Sequence, residues 1–186
     1  MLLPREEAVT LLRKYVKNER MIAHSLSSEA VMRALALRLG REVEKWAQAG
    51  LLHDLDVELT SAEPTVHGLE TARILSEMGI DADIVDAIKM HNDLATGLER
   101  TTEFQHALAA GETITGLITA TAMVYPDKKV ASVKPKSVVK RMKEKAFAAS
   151  VKRENIMECE KIGITIDEFA ALAVAAMAEA AGEIGL

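Results

Sequence analysis

No stretch of this chain alternates polar and apolar residues convincingly over six positions, so a sheet has little to build on. Helical signals recur instead. "PREEAVTLLRKYVKNE" places Pro4 near a first helical position, with Glu6 and Glu7 in the first turn, and puts Ala8, Leu11, Leu12, Tyr15 and Val16 on one face. "SLSSEAVMRALALRLG" runs to a stop at Gly40, and "EVEKWAQAGLLHDL" follows almost at once. The non-periodic "DVELTSAEPT" holds Pro64. "VHGLETARILSEMG" is amphipathic up to Gly79, and "DADIVDAIKMHN" opens on the cap candidate Asp81. A polar break, "DLATGLERTTE", leads into a long helix predicted from Phe104 to Tyr125 and ended by Pro126. Beyond the basic connector "DKKVASVKPK", "SVVKRMKEKAF" and "ENIMECEKIG" read as short surface helices. Thr165 and Glu168 form a capping-box pattern ahead of the alanine-rich last helix. The fold expected is all-α, one domain over residues 1–186.

Composition removes several function classes. A net charge of −5 argues against general nucleic-acid binding, and 3% aromatic residues leave few stacking platforms. One cysteine, Cys159, allows no internal disulfide and fits a reducing compartment. "ITGLITATAMVY" spans 12 residues and Glu179 interrupts "FAALAVAAMAEAA", so both read as core helices, short of the roughly 20 residues that a bilayer span needs. "MLLPREEAVTLL" lacks the basic and apolar regions of a signal peptide, and a cytoplasmic location is expected. The one charge asymmetry is the cluster between Lys128 and Lys145, either a solvated helix face or a rim that attracts an anionic substrate.

Chemistry concentrates in the first two thirds of the chain. "AGLLHDLDVE" puts His53 and Asp54 behind two leucines, either as a polar end to a buried helix or as part of a metal site. His24 lies within the preceding apolar-faced helix, and two antiparallel helices joined by a short connection could bring it to the pair. Neighbours on a regular helix point about 100° apart, so His53 and Asp54 share an ion only at a helix end, which "DVELTSAEPT" supports. Imidazole nitrogen and carboxylate oxygen suit a divalent ion such as Mn, Fe, Ni, Co or Zn.

The order His24, then His53-Asp54, then an acid in "AAGETITGLITA" resembles the HD superfamily of metal-dependent phosphohydrolases. The likeness runs from about Met21 to Ile156 through "GLLHDLDVE", "HGLETARIL", "IVDAIKMHN" and "TGLITATAMVYPDKK", and is similar to a group of small, largely uncharacterised HD hydrolases. The family usually carries "AAD-x-L-T-G-L-I", which assigns the acid to Glu112, with Glu standing where Asp is usual. The resemblance implies a helical HD bundle with core motifs in 21–125 and C-terminal helices 135–186 packed on it. It implies a divalent cation, Mg included, one or two per chain, on His24, His53, Asp54 and Glu112. It assigns His67 and His91 either to a second ion, with Asp54 bridging, or to the substrate phosphate.

The activity implied is hydrolysis of a small phosphate mono- or diester, possibly a nucleotide, by a metal-activated water. HD nucleotidases place an acid three residues after the aspartate, where this chain has Val57; Asp56 and Glu58 are off by one. Asp56 is therefore the candidate general acid, with a solvated loop acid as the plain alternative. His106 reads as structural. Two other readings stand: an HD-type diiron oxygenase drawn from the same four histidines and two acids, or a catalytically weak domain that binds a nucleotide or partner. The alanine-rich last helix is read as core rather than dimer face, with a monomer or homodimer open.

Overall fold

A computed structural model describes residues 1–185. Among these there are eleven α-helices, two short 3-10 turns and no strand, as an all-α fold requires. The helices are α1 (Arg5–Tyr15), α2 (Glu19–Leu39), α3 (Val43–Leu52), α4 (Leu69–Glu77), α5 (Ala82–His91) and α6 (Asp93–Thr96). They continue as α7 (Glu103–Met123), α8 (Pro135–Met142), α9 (Arg153–Met157), α10 (Ile166–Glu179) and α11 (Ala181–Ile184).

The two longest helices, α2 and α7, pack on each other at the centre. α3 and α10 lie on α2, and α5 and α9 lie on α7. One apolar cluster runs from Ala8 to Ile184 and takes in Leu35, Leu52, Ile88, Leu108, Ile118 and Phe169. α7 and α10 contribute apolar faces to it, and no described helix is long and apolar enough to cross a membrane.

Local chemistry explains most boundaries. Asn18 caps α2 by accepting from the Arg20 N–H at 2.9 Å, and Gly40 ends it at φ +67°, in the left-handed region. Asp81 caps α5 as the sequence suggests. The capping box of α7 is Thr102 with Gln105, hidden in the polar break. At α10 half of the expected box forms: Thr165 Oγ1 accepts from the Glu168 N–H at 3.3 Å, but the Glu168 carboxylate turns to Arg38 at 2.6 Å.

Two expectations need correction. The first helix stops at Tyr15, because the Glu58 carboxylate accepts the backbone N–H groups of Lys17 (2.8 Å) and Asn18 (2.7 Å) and holds the turn open. Glu58 is thus a connector between α1 and α2. "ENIMECEKIG" is not a surface helix: it divides into α9 and a 3-10 turn over Glu158–Ile162, and Asn155, Ile156, Cys159 and Ile162 are buried.

α2 and α3 approach each other closely at Gly50. A Cβ on Gly50 would lie 2.5 Å from the Ser28 carbonyl oxygen, which is backbone and cannot rotate away. Gly50→Ala is expected to destabilise the chain by about 2 kcal/mol or more in urea unfolding, against a Gly182→Ala control where a Cβ meets nothing within 4 Å. An unchanged midpoint would mean that the two helices are not held at this separation.

Candidate metal centre

Six sequence-predicted residues meet at one end of the bundle. α2 carries His24, α3 ends at His53 and Asp54, the loop before α4 carries His67, α5 ends at His91, and α7 carries Glu112. They form two groups, His24 with His53 and Glu112, and Asp54 with His67 and His91, the ligand atoms in each lying within 4.8 Å of one another. Asp54 lies between the groups. Its Oδ1 is 3.2 Å from His53 Nε2, 3.1 Å from His67 Nε2 and 3.6 Å from His91 Nε2, and its Oδ2 is 3.6 Å from His24 Nε2. Glu112 Oε2 is 3.8 Å from His24 Nε2.

Each imidazole is fixed by what its other nitrogen touches. His53 Nδ1 lies 2.8 Å from the Gly50 carbonyl oxygen and His91 Nδ1 2.6 Å from that of Ile88, and a carbonyl can only accept. His67 Nδ1 lies 2.8 Å from Asp56 Oδ1. The Thr115 hydroxyl donates to the Glu112 carbonyl at 2.7 Å, so it must accept from His24 Nδ1 at 2.9 Å. All four rings therefore carry hydrogen on Nδ1 and turn Nε2 toward Asp54. The result is unusual: His24 Nε2 faces His53 Nε2 at 3.1 Å, and His67 Nε2 faces His91 Nε2 at 3.3 Å. Two lone pairs at that distance need a cation or a proton between them.

The electrostatics agree. Burial pushes His53 down to about 3 despite the pull of Asp54, so it is neutral at physiological pH. Burial raises Asp54, but the surrounding imidazoles overcome this and hold it well below the usual carboxylate range. Burial also works against a charged His67, yet the Asp54 and Asp56 carboxylates raise it to about 10. The two carboxylates thus favour the charged form of His67. Burial raises the Glu112 carboxyl, against the pull of His24 and His91. Its neighbour Thr113 donates to Glu112 Oε1, which leaves Oε2 toward His24 and takes up the extra reach of the longer side chain.

Asp56 is neither a solvated loop acid nor placed to protonate a leaving group. It is fully buried and absent from the lining of the adjoining cavity. Its Oδ1 engages His67, and its Oδ2 accepts from the backbone N–H groups of Gly68 (2.7 Å) and Thr71 (3.1 Å). These bonds outweigh burial and lower its pKa. Gly68 makes the approach possible: its φ is +90°, and a Cβ there would sit 2.9 Å from His91 Cε1.

The cluster forms part of the lining of a cavity of about 350 Å³, together with Asn92, Leu94, Thr113, Ser150, Lys152 and Asn155 among others. None of the basic residues between Lys128 and Lys145 lines it.

Sequence reading missed the residues that brace the site. Arg100, with a side chain 4% exposed, donates to the carbonyls of Met90 (2.8 Å) and His91 (2.6 Å) and to Glu158 Oε1 (2.6 Å). Glu158 also pairs with His106 at 2.8 Å, so the structure gives His106 a structural partner. Asn92 ties the His67 loop down through the Pro64 (2.8 Å) and His67 (3.0 Å) carbonyls. Thr115 carries a sequence signal, three residues after Glu112 on the same helix; Arg100 carries none, since its partners are distant in the chain. Arg100→Met is expected to cost about 2–4 kcal/mol in urea unfolding, because it removes a buried guanidinium and leaves the part-buried Glu158 with only His106. A loss under about 1 kcal/mol would show that the buried pair contributes little.

The HD domain profile matches residues 21–123, more than half of the 186-residue chain. Ribonuclease Y of Nitratidesulfovibrio vulgaris strain DP4 is 32% identical over 76 residues, which is 41% of this chain and 15% of that protein. Ribonuclease Y of Mycoplasma mycoides is 28% identical over 96 residues, 52% of this chain and 22% of that protein. The chain thus spans only about a fifth or less of these relatives. No solved structure matches it significantly.

Proposed function

The chain belongs to the HD-domain family, and from that premise we propose that it is a metal-dependent phosphohydrolase acting on a phosphate mono- or diester. The observation that carries this reading is the convergence of four oriented imidazole nitrogens on the ionised Asp54, with Glu112 beside them. Four nitrogens and two carboxylates fit borderline divalent ions, Mn, Fe, Co, Ni or Zn, better than they fit Mg.

In this proposal His24, His53 and Glu112 would hold one ion and His67 and His91 a second, with the Asp54 carboxylate available to both groups. A divalent ion so held supplies Lewis acidity toward a phosphoryl oxygen and a water acidified toward neutral pH. The chain's own part is orientation. Gly50, Ile88, Asp56 and Thr115 keep each Nε2 lone pair aimed inward. Thr113 restrains Glu112, and Asp56 acts as the positioning residue of His67. The relatives' name, Ribonuclease Y, keeps an RNA phosphodiester among the candidate substrates. The same six residues also suit a diiron oxygenase, and a domain that binds without turnover would keep the metal alone.

The test starts with metal content. Purified without a histidine tag, the protein is expected to hold or take up one to two equivalents of a transition metal; less than about 0.2, with no uptake, would remove the metal site. Loaded with Mn, Co, Ni or Mg, it is expected to hydrolyse p-nitrophenyl phosphate or its bis ester, and Asp54→Ala to lose more than about 100-fold of that rate. Metal uptake without hydrolysis across a nucleotide panel would favour the binding domain. Oxygen-dependent turnover after anaerobic iron loading would favour the oxygenase.

Asp56→Asn tests the orienting role. Oδ2 takes two backbone N–H groups, so the amide nitrogen must face His67, turn its Nδ1 into an acceptor and move the ring hydrogen to Nε2. Affinity for one of the two ions is expected to fall about 10–100-fold in calorimetric titration. Two ions bound at unchanged affinity would rule the role out.

A further inference from the structure

We propose that Lys152, on the connection between α8 and α9, is the substrate-anion anchor of this site, and that the substrate is a small phosphoester without an aromatic group. The inference rests on the phosphohydrolase reading above. Ser150, Val151, Lys152 and Asn155 line the cavity beside the ligand cluster, and all four lie beyond the stretch 21–123 that defines the family. This chain's own C-terminal part thus supplies one wall of the pocket.

Most polar groups on the lining are already committed. Asn92 is spent on the Pro64 and His67 carbonyls. Thr113 donates to Glu112, and Asn155 lies between Thr113 and Arg100, at 3.4 Å from each. Lys152 is different. Apart from the histidines it is the only cationic side chain on the lining, and its one partner among the described residues is Asp93 at 3.2 Å. Asp93 also lies 3.9 Å from Arg100, so it keeps a cation when the ammonium turns to a ligand. The Lys152 side chain is 44% exposed and free to make that turn. The hydroxyl of Ser150, two residues earlier, has no partner among the described residues and can take a substrate hydroxyl.

Size and surface set the substrate class. About 350 Å³ is near the lower end for ligand pockets. No Phe, Tyr or Trp lines it, while Ala62, Pro64, Leu94 and Val151 do. Recognition of single-stranded nucleic acid calls for aromatic platforms and a basic track, and neither is present on this lining. A phosphorylated polyol or sugar matches the space, the ammonium and the hydroxyl.

The test compares the metal-loaded full chain with Lys152→Ala and Lys152→Arg. Substrates are glycerol 3-phosphate, ribose 5-phosphate, adenosine monophosphate and a 5′-phosphorylated RNA decamer; inorganic phosphate is titrated calorimetrically. For the polyol or sugar phosphate, the parent chain is expected to show kcat/KM at least about 10-fold above that for the decamer. Lys152→Ala is expected to raise KM about 5- to 30-fold with kcat within about 2-fold, to weaken phosphate binding by a similar factor and to leave metal content unchanged, while Lys152→Arg stays close to the parent. Unchanged KM and phosphate affinity in Lys152→Ala, or a preference for adenosine monophosphate or the decamer, would overturn the inference. Phosphate binding that depends on Lys152 without any turnover would keep the anchor and remove the hydrolase reading. Turnover that ignores Lys152 would do the reverse, and loss of both would remove both.

Discussion

Four imidazole rings packed around one carboxylate are stable only if their lone pairs have something to share. That requirement governs the upper end of this bundle. Each ring gives its Nδ1 hydrogen to a fixed acceptor, so no ring can relieve the crowding by changing tautomer. The Asp54 and Asp56 carboxylates favour a proton on His67, which serves the His67–His91 pair, while the His24–His53 pair is left for a cation. The scaffold is arranged around the same need. α2, α3, α5 and α7 each bring one or two groups, and the tight crossing at Gly50 keeps His24 and His53 at 3.1 Å.

The helices and the ligand set were largely legible in the sequence, for different reasons. Amphipathic spacing and boundary signals such as the stop at Gly40 and the cap Asp81 are local, so they place elements well. The six candidate ligands are legible as an ordered set, His24, His53-Asp54, His67, His91 and Glu112, even though no single motif is distinctive. What stayed hidden depends on partners far away in the chain. Glu58 looked like a free loop acid because the N–H groups it accepts from belong to residues about 40 positions earlier. Asp56 looked like a candidate acid because nothing local reveals that Gly68 and Thr71 return to meet it. "ENIMECEKIG" looked exposed because its buried residues follow a broken period, α9 giving way to a 3-10 turn.

Function divides along the same line. The profile match covers the residues that gather around Asp54, and these carry the chemistry shared across the family. The wall built by Ser150 to Asn155 lies outside it. In the proposed reading, the reaction class rests on the first two thirds of the chain and substrate choice rests partly on its last third. Short alignments to much longer relatives compare the first part and say little about the second.

The buried Arg100 has a consequence for the order in which the site is assembled. Its guanidinium closes the end of α5 beneath His91, yet its counter-charge, Glu158, lies 58 residues further along the chain. A ribosome making this protein releases every ligand residue, His24 through Glu112, well before Glu158 emerges. Until then the only carboxylate near Arg100 is the half-exposed Asp93 at 3.9 Å, and the closer pair at 2.6 Å is missing. The turn after α9 thus supplies the last and closest counter-charge of the His91 corner, from a part of the chain made after every residue it braces.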